Sequence, residues 1–165
     1  MTKFNELCNS YRLSREKYFN YRNECIDFAD KLVGNMIGYF QWPKEQIKYV
    51  SPKGNDSDSV YTLRGVLSLE DDTFWHFGLG LTLYESPDIK PYETAIIHIL
   101  LKKDCEHFIV KIKNFKDEFE IFKDKPEDFE NFFEFIFNKI KEDYEKDFEI
   151  FFEQEDTTIR KIGFK

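Results

Sequence analysis

The residues in this chain whose types suit chemistry are three histidines, three cysteines and two closely spaced strand glycines. A catalytic cysteine needs a base within reach and a third group to orient that base. Cys105 follows Lys102-Lys103-Asp104 and stands two positions before His107. That spacing puts both side chains on one strand face, with nothing to orient the imidazole. Cys8 and Cys25 fall on an apolar helical stripe, where thiols are ordinarily inert packing. An odd cysteine count without a CxxC spacing argues against a secreted disulfide framework, so a reducing, cytoplasmic setting is expected.

The histidines do not assemble a metal site by spacing. His98 and His107 flank one turn, and a two-residue loop at Lys103-Asp104 would place them diagonally on one sheet face. His76 lies on the more open face of a different hairpin. No HxxxH or HExxH pattern joins them, and no cysteine or aspartate completes a set on the same strand. Asp56 and Asp58 lack the spacing and distal glutamate of a calcium loop. Neither a metal nor a cofactor is expected, and the chain reads as a non-enzyme.

Gly78 and Gly80 lie inside a strand, not between a strand and a helix, so they do not form a phosphate cradle. Glycines within a strand mark a close approach by backbone, helix or ligand. A helix packed over them is the ordinary outcome. The alternative is a small-ligand groove lined by Arg64, His76, Gly78, Gly80 and Thr82.

The segment that positions these residues runs from Val60 to Glu85. Two period-2 runs flank Glu70-Asp71-Asp72-Thr73, the pattern of a β-hairpin. A three-residue loop there would set Leu67 opposite Trp75, Leu63 opposite Leu79 and Arg64 opposite Gly78, with both apolar sets on one face.

From about Thr2 to Phe40 the pattern is helical. Phe4, Tyr11, Tyr18, Cys25, Leu32 and Tyr39 recur every seventh residue, with Leu7, Tyr21, Phe28 and Met36 beside them. A helix of this size is roughly 55 Å long at ~1.5 Å per residue. It overshoots a small domain, so it must break, with Gly34 and Gly38 as weak points, or project at one end. Covering the sheet is its ordinary role, and a homodimer through it is the alternative.

Short strands follow at Glu45–Val50, Tyr92–Leu101, His107–Lys113 and Glu118–Phe122. Tyr92–Leu101 is so continuously apolar that both its faces should be covered. Pro52, Gly54 and Asn55 mark one loop, and Pro91 should close another. Short connections imply antiparallel neighbours. Asp124-Lys125-Pro126-Glu127 then opens a helix whose stripe, Phe129, Phe133, Ile136, Ile140, Tyr144, Phe148 and Phe151, should be buried up to Phe152 or Glu155. The basic tail Thr157–Lys165 adds a strand or frays.

The fold class expected is α+β in one domain, residues 1–165. A helix spans 1–40, an antiparallel β-meander of five to seven strands spans 45–122, a second helix spans 124–155 and a tail spans 156–165. Both helices should pack on one face of the sheet. No apolar run approaches the ~20 residues that cross a bilayer, and no signal segment or membrane partner is expected.

The net charge of −8 is concentrated. Residues 114–156 carry 16 acidic and 6 basic side chains, a balance of −10. Such a field repels phosphates and favours basic partners, so nucleic acid is disfavoured, and the basic stripe of an RNA reader is missing. The function expected is therefore an acidic inhibitor or adaptor of the immunity, counter-defence or chaperone type. It would engage a basic protein surface through Glu142, Asp143, Glu145 and Glu149.

Overall fold

A computed structural model describes residues 2–52, 62–86, 89–146 and 159–162, with the backbone alone at 86, 89–92 and 159–162. Helix α1 spans Lys3–Phe40 without a break. The Thr2 side chain accepts from the Asn5 amide at 3.1 Å, which satisfies one of the orphan donors of the first turn. At the other end Gln41 takes a left-handed φ of 53°. Its amide and that of Trp42 then bond back to the Gly38 and Ile37 carbonyls, and Pro43 prevents continuation. Gly34 and Gly38 do not interrupt the helix. One or two glycines cost less than the contacts that the buried half of the helix makes. The excess length is instead carried by the N-terminal half, where every residue from Thr2 to Asn20 is exposed. Cys8 lies in that half and is exposed, so only Cys25 of the two helical thiols is core.

Strands β1 (Ile47–Val50), β2 (Ser68–Leu69), β3 (Trp75–Ser86), β4 (Ile89–Asp104), β5 (His107–Ile112) and β6 (Phe119–Ile121) form an antiparallel sheet. β3 and β4 are its long central pair. β1 and β2 share the far edge of β3. β7 (Ile159–Ile162) adds a parallel pairing to Thr94–Ile97 of β4, next to the stretch taken by β5. The tail thus contributes a strand.

The register before Trp75 differs from the sequence expectation. Residues Leu63–Val66 form a single helical turn, α2, and only Ser68 and Leu69 pair with His76 and Trp75. Leu63 and Val66 are both buried, and their spacing of three suits a helical turn. The Thr62 hydroxyl accepts from the Gly65 amide at 3.1 Å and caps that turn. The freed edge of β3 is filled by β1, which sets Val50 opposite Gly78 and Lys48 opposite Gly80.

Three further boundaries shift. The β4–β5 turn is Cys105-Glu106 with Cys105 at φ 55°, because both strands extend to the Asp104–His107 pair. His98 and His107 are therefore well separated along the strands, not diagonal neighbours. Pro91 lies within β4 and does not close a loop. It sits beside the register shift at Tyr84/Ser86, and among the described residues neither β5 nor β7 pairs that far along, so its missing donor is not needed there. Helix α3 spans Pro126–Glu145 and its N-cap is Lys125. Asp128 reaches back from its first turn to accept from the Phe122 amide at 3.0 Å. The stretch expected to carry that helix to Phe152 or Glu155 lies outside the described residues, apart from Lys146.

One face of the sheet holds the core. Trp75, Phe77, Leu79 and Leu81 of β3 lie beside Ile97, Ile99 and Leu101 of β4 and Phe108, Val110 and Ile112 of β5. α1 covers them with Phe28, Ala29, Leu32 and Met36, and α3 with Phe129, Phe132 and Phe133. Phe28 stacks on Phe108 at 3.9 Å between centroids and also meets Phe129 at 5.9 Å, so three elements share one aromatic contact. Each buried phenylalanine contributes about 2–3 kcal/mol by the area it removes from water. Lys31 donates to the Lys123 carbonyl at 2.8 Å, and Tyr39 donates to Glu134, fixing α1 over the sheet and α3. Every residue from Thr94 to Leu101 is buried, so both faces of mid-β4 are covered.

Candidate functional site

Two features stand apart from packing. The first is a hydrogen-bonded chain on the sheet face opposite the core. β3 begins after a turn in which Thr73 takes φ 70°. The Asp72 carboxylate accepts there from the Phe74 amide at 3.0 Å. It also lies 2.8 Å from His76 Nε2, and His76 Nδ1 lies 2.9 Å from His98 Nε2. An ionised carboxylate only accepts, so His76 must donate through Nε2. With His76 neutral, its Nδ1 accepts and His98 Nε2–H donates; with His76 charged, the second bond reverses.

Burial, then the charges of His76 and Lys113, lower the His98 pKa to about 3, with Asp72 acting weakly the other way. That ring is neutral at ordinary pH. Partial burial pushes the Asp72 carboxyl up, but the Phe74 amide, the His76 ring and the charge of Lys111 outweigh it, and the net shift is downward. The order carboxylate–imidazole–acceptor is that of a proton relay, but its inner end is a ring only 1% exposed. The outer end, the Asp72 side chain, is 45% exposed, so the three groups run in order from solvent to the buried ring. Lys102 and Lys111 each stand 4.7 Å from the Phe74 ring beside it, a pair of cation–π contacts that close this end of the face.

This network was hidden in the sequence by two uncertain registers. Asp72 and His76 are four apart across a turn, and His98 reaches His76 only because the β3–β4 register sets it opposite Gly78, diagonal to His76.

Four of the five groove residues share a face and one does not. His76, Gly78, Gly80 and Thr82 share one face of β3, but Arg64 lies exposed on α2. At Gly80 a Cβ would come within 3.0 Å of the Lys48 stem and 3.4 Å of Thr94, so an aliphatic side chain, not a helix, makes the close approach. Gly78 faces Val50 and His98. Of the acidic set, Glu142 and Glu145 are exposed on α3 and Asp143 is half-buried, while Glu149 lies outside the described residues. Lys139 sits 3.8 Å from Glu142 and Lys141 sits 3.8 Å from Glu145, so both exposed acids are partly screened locally. Among the described residues no cluster of three or more His, Cys, Asp or Glu could hold a metal, and no helix is long and apolar enough to cross a membrane.

The second feature is the free half of α1. Phe4 is 71% exposed, Leu7 70%, Tyr11 63% and Tyr18 45%. They extend, with a gap at Ser14, the stripe that Cys25, Phe28, Leu32 and Met36 bury against the sheet. The arm is kept helical by Thr2 at its start and by surface pairs such as Arg12–Glu16 at 2.7 Å. A solvated helix needs no such stripe, because burial is what rewards apolar periodicity. Comparison of the chain with family models, curated proteins and solved structures finds no match.

Proposed function

We propose that this chain is a non-enzymatic protein-binding protein, an inhibitor or adaptor that engages its partner with surfaces and not with a catalytic centre. The observation that carries the reading is the free half of α1, an ordered helix of about five turns whose apolar side chains are left in water. Contiguous exposed apolar surface of this kind usually marks an interaction site. The body of the protein holds the arm rigidly, because the lower half of the same helix is bound into the core.

A second reading places the contact on α3, whose outward side presents Glu127, Glu130, Glu142 and Glu145 to solvent. There the partner surface would be basic, and the contact would weaken with salt.

Photo-crosslinking in the cell separates the two. One benzophenone side chain replaces Tyr11 and another, in a separate protein, replaces Glu142. The proposal expects an adduct of defined mass from position 11. An adduct from position 142 alone favours the acidic surface, and none from either position contradicts protein binding.

A further inference from the structure

The charges beside the arm's stripe specify what kind of helix it would accept. Taking Phe4, Tyr11 and Tyr18 as one seam row and Leu7 and Ser14 as the other, which continues into Tyr21 where the helix meets the core, the positions that border the seam are Lys3, Ser10 and Lys17 on one side and Cys8, Arg15 and the half-buried Arg22 on the other. No acid borders it. Glu6 pairs with the border residue Lys3, while Glu16 pairs with Arg12 away from the seam. Arg15 leans from its border position onto the seam, bonded to the Tyr11 hydroxyl at 3.1 Å and over the rings of Tyr11 and Phe19. Lys17 and Arg22 make no ion pair among the described residues. From Lys3 to Arg22 the chain carries five basic and two acidic side chains, a balance of +3, in a protein of net −8.

Resting on the protein-binding reading above, we propose that the arm takes an amphipathic helix of another protein whose flanking positions are acidic. Border charges set partner choice in paired helices. A second copy of this chain fits poorly. Parallel pairing sets Lys17 of one helix beside Arg22 of the other, and antiparallel pairing sets each basic border against its own kind, so like charges meet either way. The apolar area available is also modest. Four partly exposed side chains offer on the order of 500 Å², short of the ~800 Å² per partner of a stable interface. Charge pairing along both borders supplies contact that the seam alone lacks. An anionic membrane is the other surface that a basic, aromatic helix could meet. The acidic body opposes that approach.

The test uses the full chain and three designed three-heptad helical peptides, identical in a leucine seam and flanked by glutamate, glutamine or lysine. Fluorescence anisotropy at low salt should show the glutamate peptide binding at least about tenfold tighter than the glutamine peptide, with the lysine peptide weakest. The triple substitution Arg15→Glu, Lys17→Glu, Arg22→Glu should invert that order. Equal binding of all three peptides overturns the acidic-partner inference but leaves protein binding through the stripe intact. No peptide binding, together with capture by phosphatidylglycerol vesicles, overturns it in favour of a membrane. A mass that doubles with concentration and a seam protected in the free protein overturn it in favour of a second copy.

Discussion

His76 Nδ1 lies 2.9 Å from His98 Nε2, a bond made between diagonal positions of β3 and β4. The position directly across from His98 is Gly78, which offers no side chain to keep the two rings apart. The strand glycine that suggested a ligand groove thus lies where two imidazoles join. The consequence is thermodynamic. A ring buried in its neutral form, with its pKa lowered to about 3, must be charged when the chain unfolds in acid.

The sign of the pH effect follows from proton counting. Between about pH 6.5 and pH 3 the unfolded chain binds a proton at His98 that the folded chain does not, so stability rises with pH across that window. Asp72, lowered in the fold, loses its contribution only below the ordinary carboxylate range, and in the same direction. From pH 6.5 to 5 the protein should lose about 1.5 kcal/mol through His98. Urea unfolding at both pH values checks this, and His98→Gln should flatten the difference. Parallel curves for the two proteins would show that His98 is not the titrating group.

Gly80 is a close approach by Lys48, which is flexible, and by Thr94. Gly80→Ala should cost less than about 1 kcal/mol, and combining it with Lys48→Ala should remove most of that cost. Additive losses in the double-mutant cycle would mean that the strand backbone, not the lysine stem, resists the added methyl.

Gly34 is exposed near the C-terminal end of α1 with nothing within 4 Å of where a Cβ would stand. Gly34→Ala should stabilise the protein by about 0.5–1 kcal/mol, chiefly by restricting the unfolded chain. A loss of stability would mean that the site is not freely solvated.

Phe28 stacks on Phe108 and touches Phe129, so Phe28→Ala opens a cavity where α1, the sheet and α3 meet. A loss of about 3–5 kcal/mol is expected from denaturant titration. A much smaller loss would show that the three elements can close over the gap.

Long-period signals in the sequence were legible and short ones were not. The stripe from Phe4 to Tyr39 and the run from Phe129 to Ile136 repeat over many turns, and both helices appear, α1 packing only the half from Cys25 onward on the same sheet face as α3. The continuous apolar run Tyr92–Leu101 likewise marked a strand covered on both faces, as it is from Thr94 to Leu101. Residues Leu63–Leu69 carry too few repeats to separate a strand from a helical turn, and the Thr62 cap decided the matter locally. Register then propagated the error, since Arg64 could line a groove only if it paired with Gly78. One turn residue and one residue from each of two strands make the Asp72–His76–His98 chain, and no single stretch of sequence contains it.

The central claim is that the free half of α1 is a binding surface. Native mass spectrometry of tagged protein recovered from its own cell's lysate tests it, comparing wild type with the variant Leu7→Ser, Tyr11→Ser, Tyr18→Ser. Those side chains are exposed, so the variant should fold and melt like wild type. The account predicts a stoichiometric second protein on the wild type and a bare chain for the variant. The same adduct on both, or a bare chain from both, would contradict it.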